Sequence, residues 1–217
     1  MGYLITFEGI EGCGKTTQIN LLKDYFKKKH IPFLLTREPG GTGVGEQIRK
    51  ILLDAKNKDI FPVTELLLYE ANRYQLVSQY VTKALKDGRL VLCDRFTDAT
   101  LAYQGYGHGI DLELIKKLNF LATDGIEPDL TILFDCPVDV GLKRAEMRTG
   151  NESSSFKEDR FEQKGIKFHE KVRKGYREIA KTNQNRIKIV ESCQGVEEIN
   201  REVIYLFESF INEKSKK

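Results

Sequence analysis

Five short segments of the chain are nearly continuous in apolar, β-branched and aromatic residues: 3–8, 32–37, 90–94, 129–135 and 186–191. Runs of that length without strict alternation suit strands buried on both faces of a parallel sheet. Between them the apolar positions recur at helical spacing. Segment 16–29 carries Ile19, Leu22 and Phe26, and segment 63–87 carries Leu66, Leu67, Tyr74, Val77, Val81 and Leu85. Gly88 is placed to cap the second of these. Helices are also predicted over 112–123, 138–147, 161–182 and 196–211, with Pro137 in the first turn of its helix. Strands and helices alternate throughout, which predicts a three-layer α/β domain with right-handed crossovers. No internal repeat is visible. The one low-complexity patch, Gly/Asn/Ser-rich 149–155, reads as a loop that moves, and 214–217 as a solvated tail.

Composition narrows the classes. The 217 residues make one domain, over 1–217, and 40% hydrophobic residues are ordinary for a globular protein. A chain of that size buries roughly 70% of its unfolded surface, so the core needs no staples. The net charge is only +3, too small a surplus to imply a nucleic-acid partner. No apolar run reaches the ~18 residues of a membrane span. Residues 1–6 lack the basic start of a secretory signal. They fit a myristoylation pattern formally (Gly2, Thr6), but a buried first strand offers no free anchor. Cys13, Cys93, Cys136 and Cys193 have no CxxC spacing and read as reduced thiols of a cytoplasmic protein. Cys13 sits where a helix N-terminus favours a thiolate, yet reads better as a small filler in a tight loop. His30, His108 and His169 lack metal-ligand spacing and read as surface or loop residues. The glycosylation sequon at Asn151-Glu152-Ser153 is read as chance.

The strongest motif is Gly9-Ile10-Glu11-Gly12-Cys13-Gly14-Lys15-Thr16, a full G-x-x-x-x-G-K-[ST] between a predicted strand and a predicted helix. Its glycines let backbone N–H groups turn toward phosphate oxygens, and the helix N-terminus adds its dipole. Lys15 would bridge the β- and γ-phosphates, and the Thr16 hydroxyl would ligate Mg²⁺. The motif implies nucleoside triphosphate binding and a P-loop nucleoside triphosphate hydrolase-like fold. It does not separate kinases from ATPases, GTPases or motors.

That separation depends on what faces the loop. In open α/β sheets ligands gather past the carboxyl ends of the strands. The second strand ends in Arg37-Glu38-Pro39-Gly40-Gly41-Thr42 and the third in Asp94-Arg95-Phe96. Two arginines on the rim that already holds Lys15 point to a second anionic substrate. The alternative is structural ion pairing with Glu38 and Asp94. Asp94 is placed to hold Mg²⁺, with Asp135, at the end of the fourth strand, as its rival. A phosphate acceptor is already ionised, so no general base is required, and catalysis rests on alignment and charge stabilisation. An arginine at the transferring group is worth ~10³–10⁵ in rate. The loop itself carries Glu11 and no arginine. Segment 143–177 holds 11 Lys/Arg and 6 Asp/Glu, a local net of +5. A basic flap over about 144–160, with Arg144, Arg148, Lys157 and Arg160 around its Gly/Asn/Ser patch, reads as a mobile lid that excludes water.

At this point the chain resembles thymidylate kinase along nearly its whole length. The residues that carry the resemblance are Phe7–Thr17, Arg37–Thr42, Leu67-Leu68-Tyr69-Glu70-Ala71-Asn72-Arg73, Asp94-Arg95-Phe96 through Ala102-Tyr103-Gln104-Gly105, and Asp159-Arg160-Phe161-Glu162. The phosphate loop alone is generic; the ordered set is specific. The resemblance implies transfer of the γ-phosphoryl group of MgATP to dTMP, giving dTDP and ADP, by a homodimer. It implies that Gly9 through Thr17 bind ATP, with Lys15, Asp94 and Arg95 catalytic. Arg37 and Arg95 would hold the dTMP phosphate beside Pro39, whose bond to Glu38 would be cis. Glu11 would lie near the sugar 3′-hydroxyl or the acceptor phosphate. Tyr69 would stack on thymine, Arg73 donate to its O4, and Thr100 and Gln104 face the base edge. Tyr103 would crowd the sugar 2′ position. Without the resemblance, Tyr69 and Arg73 are simply two residues on one helix face. The absence of an arginine or lysine between Gly9 and Gly14 resembles the bacterial subtype, in which lid arginines serve; Arg148 and Arg160 are the candidates. The adenine pocket is expected near 192–196.

Two rivals remain at this stage. One is a kinase for another monophosphate, such as dUMP, dCMP or a purine nucleotide. The other is an ATPase that drives a partner or DNA. The second calls for another acidic residue after a Walker-B aspartate, and the sequence has Cys136 after Asp135 and Arg95 after Asp94.

Overall fold

The computed structural model describes residues 2–149, 160–161 and 164–215, with side chains only to Met147 in the helix that ends at Thr149. Five strands form one parallel sheet: β1 (Leu4–Glu8), β2 (Phe33–Arg37), β3 (Leu90–Asp94), β4 (Leu130–Asp135) and β5 (Ile187–Glu191), in the order β2-β3-β1-β4-β5. Each lies within one residue of its expected bounds. Every residue of β1 and β4 is buried, as expected of strands covered on both faces, whereas the edge strands β2 and β5 are partly exposed. The alternation of side chains sorts the two faces. Ile5 and Phe7 join Leu90 and Leu92 in the larger core, while Leu4 joins Val91 and Cys93 in a second core with Leu76, Val77 and Val81.

The flanking helices are α1 (Lys15–Lys28), α2 (Gly43–Leu53), α3 (Pro62–Leu76), α4 (Thr82–Lys86), α5 (Thr97–Thr100), α6 (Leu112–Thr123), α7 (Val138–Thr149), α8 (Ile166–Thr182) and α9 (Val196–Ser215). Several differ from expectation, among them the short α5, where no helix was expected. The single helix expected over 63–87 is interrupted at Val77–Val81 by a π-helical segment, which buries Val77 and Val81 in the second core. The helix expected from 161 begins at Ile166, behind Gly165. No helix was expected over α2, because Gly43 and Gly45 depress its propensity. The Thr42 hydroxyl caps that helix by accepting from Gly45 N at 2.8 Å. A second π-helical segment, Leu101–Gly107, follows α5 and buries Ala102, Tyr103, Gln104 and Gly105 in succession.

No helix among the described residues is long and apolar enough to cross a membrane. Of the expected lid, residues 150–159 lie outside the described residues, and so does the Arg148 side chain. The sequon, Lys157, Asp159 and Glu162 fall there too.

Candidate functional site

The sheet order sets the site. The loop after β1 emerges between the ends of β3 and β4, so the rim has a β2–β3 side and a β4–β5 side. Gly9, Gly12 and Gly14 turn that loop with φ of 140°, 68° and 92°. A Cβ on Gly12 would come within 1.9 Å of Gly141 O on α7, so only glycine lets the loop pack there. Lys15 starts α1 and curls back, donating from Nζ to Gly9 O at 2.9 Å and Ile10 O at 3.0 Å.

One cavity of ≈ 1040 Å³ covers the rim. Its middle is lined by Glu11, Gly12, Cys13, Gly14, Lys15, Thr16 and Thr17. Its β2–β3 side is lined by Arg37, Pro39, Tyr69, Arg73, Asp94, Arg95, Thr100, Tyr103 and Gln104. Its β4–β5 side carries Arg144, Ser192, Gln194 and Val196, where the adenine pocket was expected. Gly9 and Ile10 belong to the loop but do not line the cavity.

Neither rim arginine makes the ion pair weighed for it. Arg37 meets Glu46 at 3.1 Å, and Glu46 Oε1 also accepts from Gly41 N at 2.9 Å. Arg95 meets Glu11 at 3.0 Å, donates to the Tyr176 hydroxyl at 3.2 Å and stacks over the Tyr103 ring at 4.8 Å. Glu11 also accepts from the Tyr103 hydroxyl at 2.7 Å. Burial would raise the Glu11 carboxyl, but Arg95 and His169 outweigh it and hold Glu11 well below the usual carboxylate range. The Glu38–Pro39 bond is cis, as the resemblance implied.

Glu38 pairs instead with Arg73, and this pair is buried at 1% exposure on both side chains. Arg73 Nε donates to Glu38 at 2.9 Å. Nη1 donates to Glu70 at 2.9 and 3.0 Å and to Asn119 at 2.7 Å. Nη2 donates to Phe96 O at 3.0 Å and the Thr100 hydroxyl at 2.9 Å. A guanidinium has five N–H groups, and here each has an acceptor. Despite burial, Glu38 and Glu70 hold Arg73 charged more firmly than an ordinary arginine.

The structure places Arg160 away from the cavity. It was expected at the γ-phosphate. Its guanidinium is instead buried against the Leu52 carbonyl and Glu65, over the Phe161 ring, and it does not line the cavity. Glu65 is a hub that also receives Gln104 at 2.8 Å and lies 3.3 Å from His108. Burial would raise the Glu65 carboxyl, yet His108, Arg160 and Gln104 bring it down to about 2. His108 and His169, expected on the surface or in loops, are largely or wholly buried.

Asp135 is bound by Arg173 at 2.6 and 2.9 Å and does not line the cavity. No hydrogen bond reaches the Asp94 carboxylate from the described residues, and Asp94 shares the cavity wall with Thr16. One free carboxylate and one hydroxyl beside a phosphate site suit Mg²⁺, which takes few protein oxygens and completes its shell with phosphate and water.

Several site residues had not been read from the sequence. Glu65 precedes Tyr69 by four residues and Arg73 by eight, so helical spacing held a signal for it. Phe161, whose ring meets Tyr103 at 5.5 Å and Tyr69 at 6.4 Å, had been noted only within a motif. Glu8, at the end of β1, accepts from Phe96 N and from the Tyr176 hydroxyl, both at 2.8 Å. Burial and neighbouring Asp98 push its carboxyl up to about 8.

Comparison with known proteins shows the family. The family model described as thymidylate kinase matches residues 7–203. A thymidylate kinase of Geotalea daltonii is 56% identical over 198 residues, 91% of this chain and 92% of that protein. One from Desulfovibrio desulfuricans is 43% identical over 212 residues, 98% of each. The crystal structure of thymidylate kinase from Ehrlichia chaffeensis superposes with a TM-score of 0.76 at 35% identity, covering 95% of this chain and 98% of that one.

Proposed function

The chain belongs to the thymidylate kinase family, and from that premise we propose how its residues divide the work. The enzyme phosphorylates dTMP to dTDP with ATP as donor. The observation that carries the assignment of sides is the single cavity, which joins two arginine-bearing strand ends to the 192–196 corner across the phosphate loop. The acceptor occupies the β2–β3 side and the donor the β4–β5 side. Residues 1–217 act as one kinase domain in the cytoplasm, where the free cysteines stay reduced.

Arg37 and Arg95 grip the acceptor phosphate beside Pro39, and Glu11 faces the sugar or that phosphate. Tyr69 stacks on the base, Tyr103 closes on the sugar, and Thr100 and Gln104 meet the base edge. Arg73 reads the base carbonyl by sharing the Nη2 donor it gives to Thr100. The phosphate-loop residues Gly9 through Thr17 cradle the donor, with Arg144, Ser192 and Gln194 toward its base. Thr16 and Asp94 would hold Mg²⁺, which would supply neutralisation of the triphosphate charge. The acceptor oxygen is already ionised, so the chain's task is to align it and to surround the transferred group with Lys15, Arg95 and Arg148. Arg160 shapes the acceptor wall through Glu65 instead. The active form is a homodimer.

ADP release by the pure protein with MgATP and a panel of nucleoside monophosphates tests this reading. dTMP should give the fastest release. A rate with dTMP equal to ATP alone would remove the kinase reading, and much faster turnover of another monophosphate would remove the dTMP assignment.

A further inference from the structure

His169, on α8, does not line the cavity, and its side chain is fully buried. Its two ring nitrogens meet two separate parts of the site. Nε2 lies 2.9 Å from the Phe161 carbonyl oxygen. Nδ1 lies 3.2 Å from Glu11 Oε2. A carbonyl and an ionised carboxylate only accept, so the ring can donate to both at once only in its doubly protonated form. The Nδ1 contact is an ion-pair approach without an aligned hydrogen bond, and Glu11 Oε2, itself buried, has no other hydrogen-bond partner among the described residues.

Both ends of this bridge carry acceptor-side residues. The other oxygen of Glu11 receives Arg95 at 3.0 Å and the Tyr103 hydroxyl at 2.7 Å. The Phe161 ring packs edge-on to Tyr103, and its neighbour Arg160 is bound to Glu65. We propose that His169 is a positioning residue: it fixes the phosphate-loop carboxylate Glu11 against the Phe161 corner, and so sets Arg95 and Tyr103 for the acceptor. This rests on the acceptor-side reading of Glu11 and Arg95 given above. A histidine that merely filled the core would support stability and leave the balance between the two substrates untouched.

The test is steady-state kinetics of the full chain, with melting curves, for His169→Gln, Glu11→Gln and the double variant. His169→Gln keeps a similar volume and one donor, so folding is retained. It should raise KM for dTMP about tenfold and leave KM for ATP within about twofold, the size of coupling typical of residues in one network. The double variant should be no worse than the poorer single variant by more than about twofold. Multiplying losses, equal changes in both KM values, or a lowered Tm with an unchanged dTMP KM would each overturn the proposal. If Glu11→Gln alone leaves the dTMP KM unchanged, the reading of Glu11 falls, and this inference with it. If Glu11→Gln is impaired while His169→Gln is not, only the inference falls.

Discussion

Arg95 is a non-glycine residue at φ 68°, a conformation that costs roughly 1–3 kcal/mol and persists only when its surroundings hold it. Here they do. Arg95 N donates to Phe7 O, Phe96 N donates to Glu8, and Tyr176 links Glu8 to the Arg95 side chain. Glu8 therefore grips the arginine from behind, although it touches neither substrate in the proposed arrangement. Its carboxyl is raised to about 8 in the fold against an ordinary value of 4.5. The folded state then holds a proton that the unfolded state releases, so Glu8 makes stability fall as pH rises from 4.5 to 8. Melting curves from pH 5 to 9 should show a smaller loss for Glu8→Gln than for the parent. Equal losses would mean that Glu8 is ionised in the fold. Arg37 and Arg95 could be picked out in the sequence because one ends an apolar strand and the other directly follows one. Glu8 and His169 could not, because their partners lie 88 and 158 residues away in the chain, while Glu65 left only the signal of its helical spacing to Tyr69 and Arg73.

Among the elements, the basic flap over about 144–160 was expected to supply two catalytic arginines of equal standing. The fold separates them. Arg148 belongs to α7, whose Arg144 lines the cavity, and Arg160 is buried against α3 and the end of α2. Arg148→Ala should lower kcat by ~10³ or more with little change in either KM. Arg160→Ala should leave Glu65 buried without its cation, a loss of about 3–5 kcal/mol read as a lower Tm, with kcat less affected than by Arg148→Ala. The reverse pattern would return Arg160 to the γ-phosphate. The two π-helical segments were invisible to periodicity. An inserted residue shifts the buried stripe without changing composition, and such segments often mark functional sites. The second supplies Tyr103 and Gln104, both buried and both on the cavity wall.

For the whole molecule, the +3 surplus becomes −2 once segment 143–177 is set aside, so the net positive charge is concentrated in that segment, of which Arg144 lines the cavity. The surface also leaves large apolar side chains uncovered on two helices that pack together. Val63, Leu67 and Tyr74 of α3 are 53%, 51% and 57% exposed, and Phe120 and Leu121 of α6 are each 69% exposed. The homodimer proposed above predicts that these side chains are covered by a second copy. Sedimentation should find the parent at twice the mass of one chain and Leu67→Glu shifted toward the monomer. A monomeric parent would dismiss the dimer.

The sequence by itself determined the strand set, the phosphate loop and the family's ordered motifs. Strand runs and P-loop spacing are local, and local patterns survive without knowledge of the fold. Only the tertiary structure decided which charges meet. It assigned Glu38 to Arg73, Glu11 to Arg95, Asp135 to Arg173 and Glu65 to Arg160. Buried charges need partners far more than exposed ones, and those partners come from whichever elements the sheet order brings together. Asp94 accepts no hydrogen bond from the described residues and Arg160 is buried against Glu65 for that reason, which no spacing along the chain encodes.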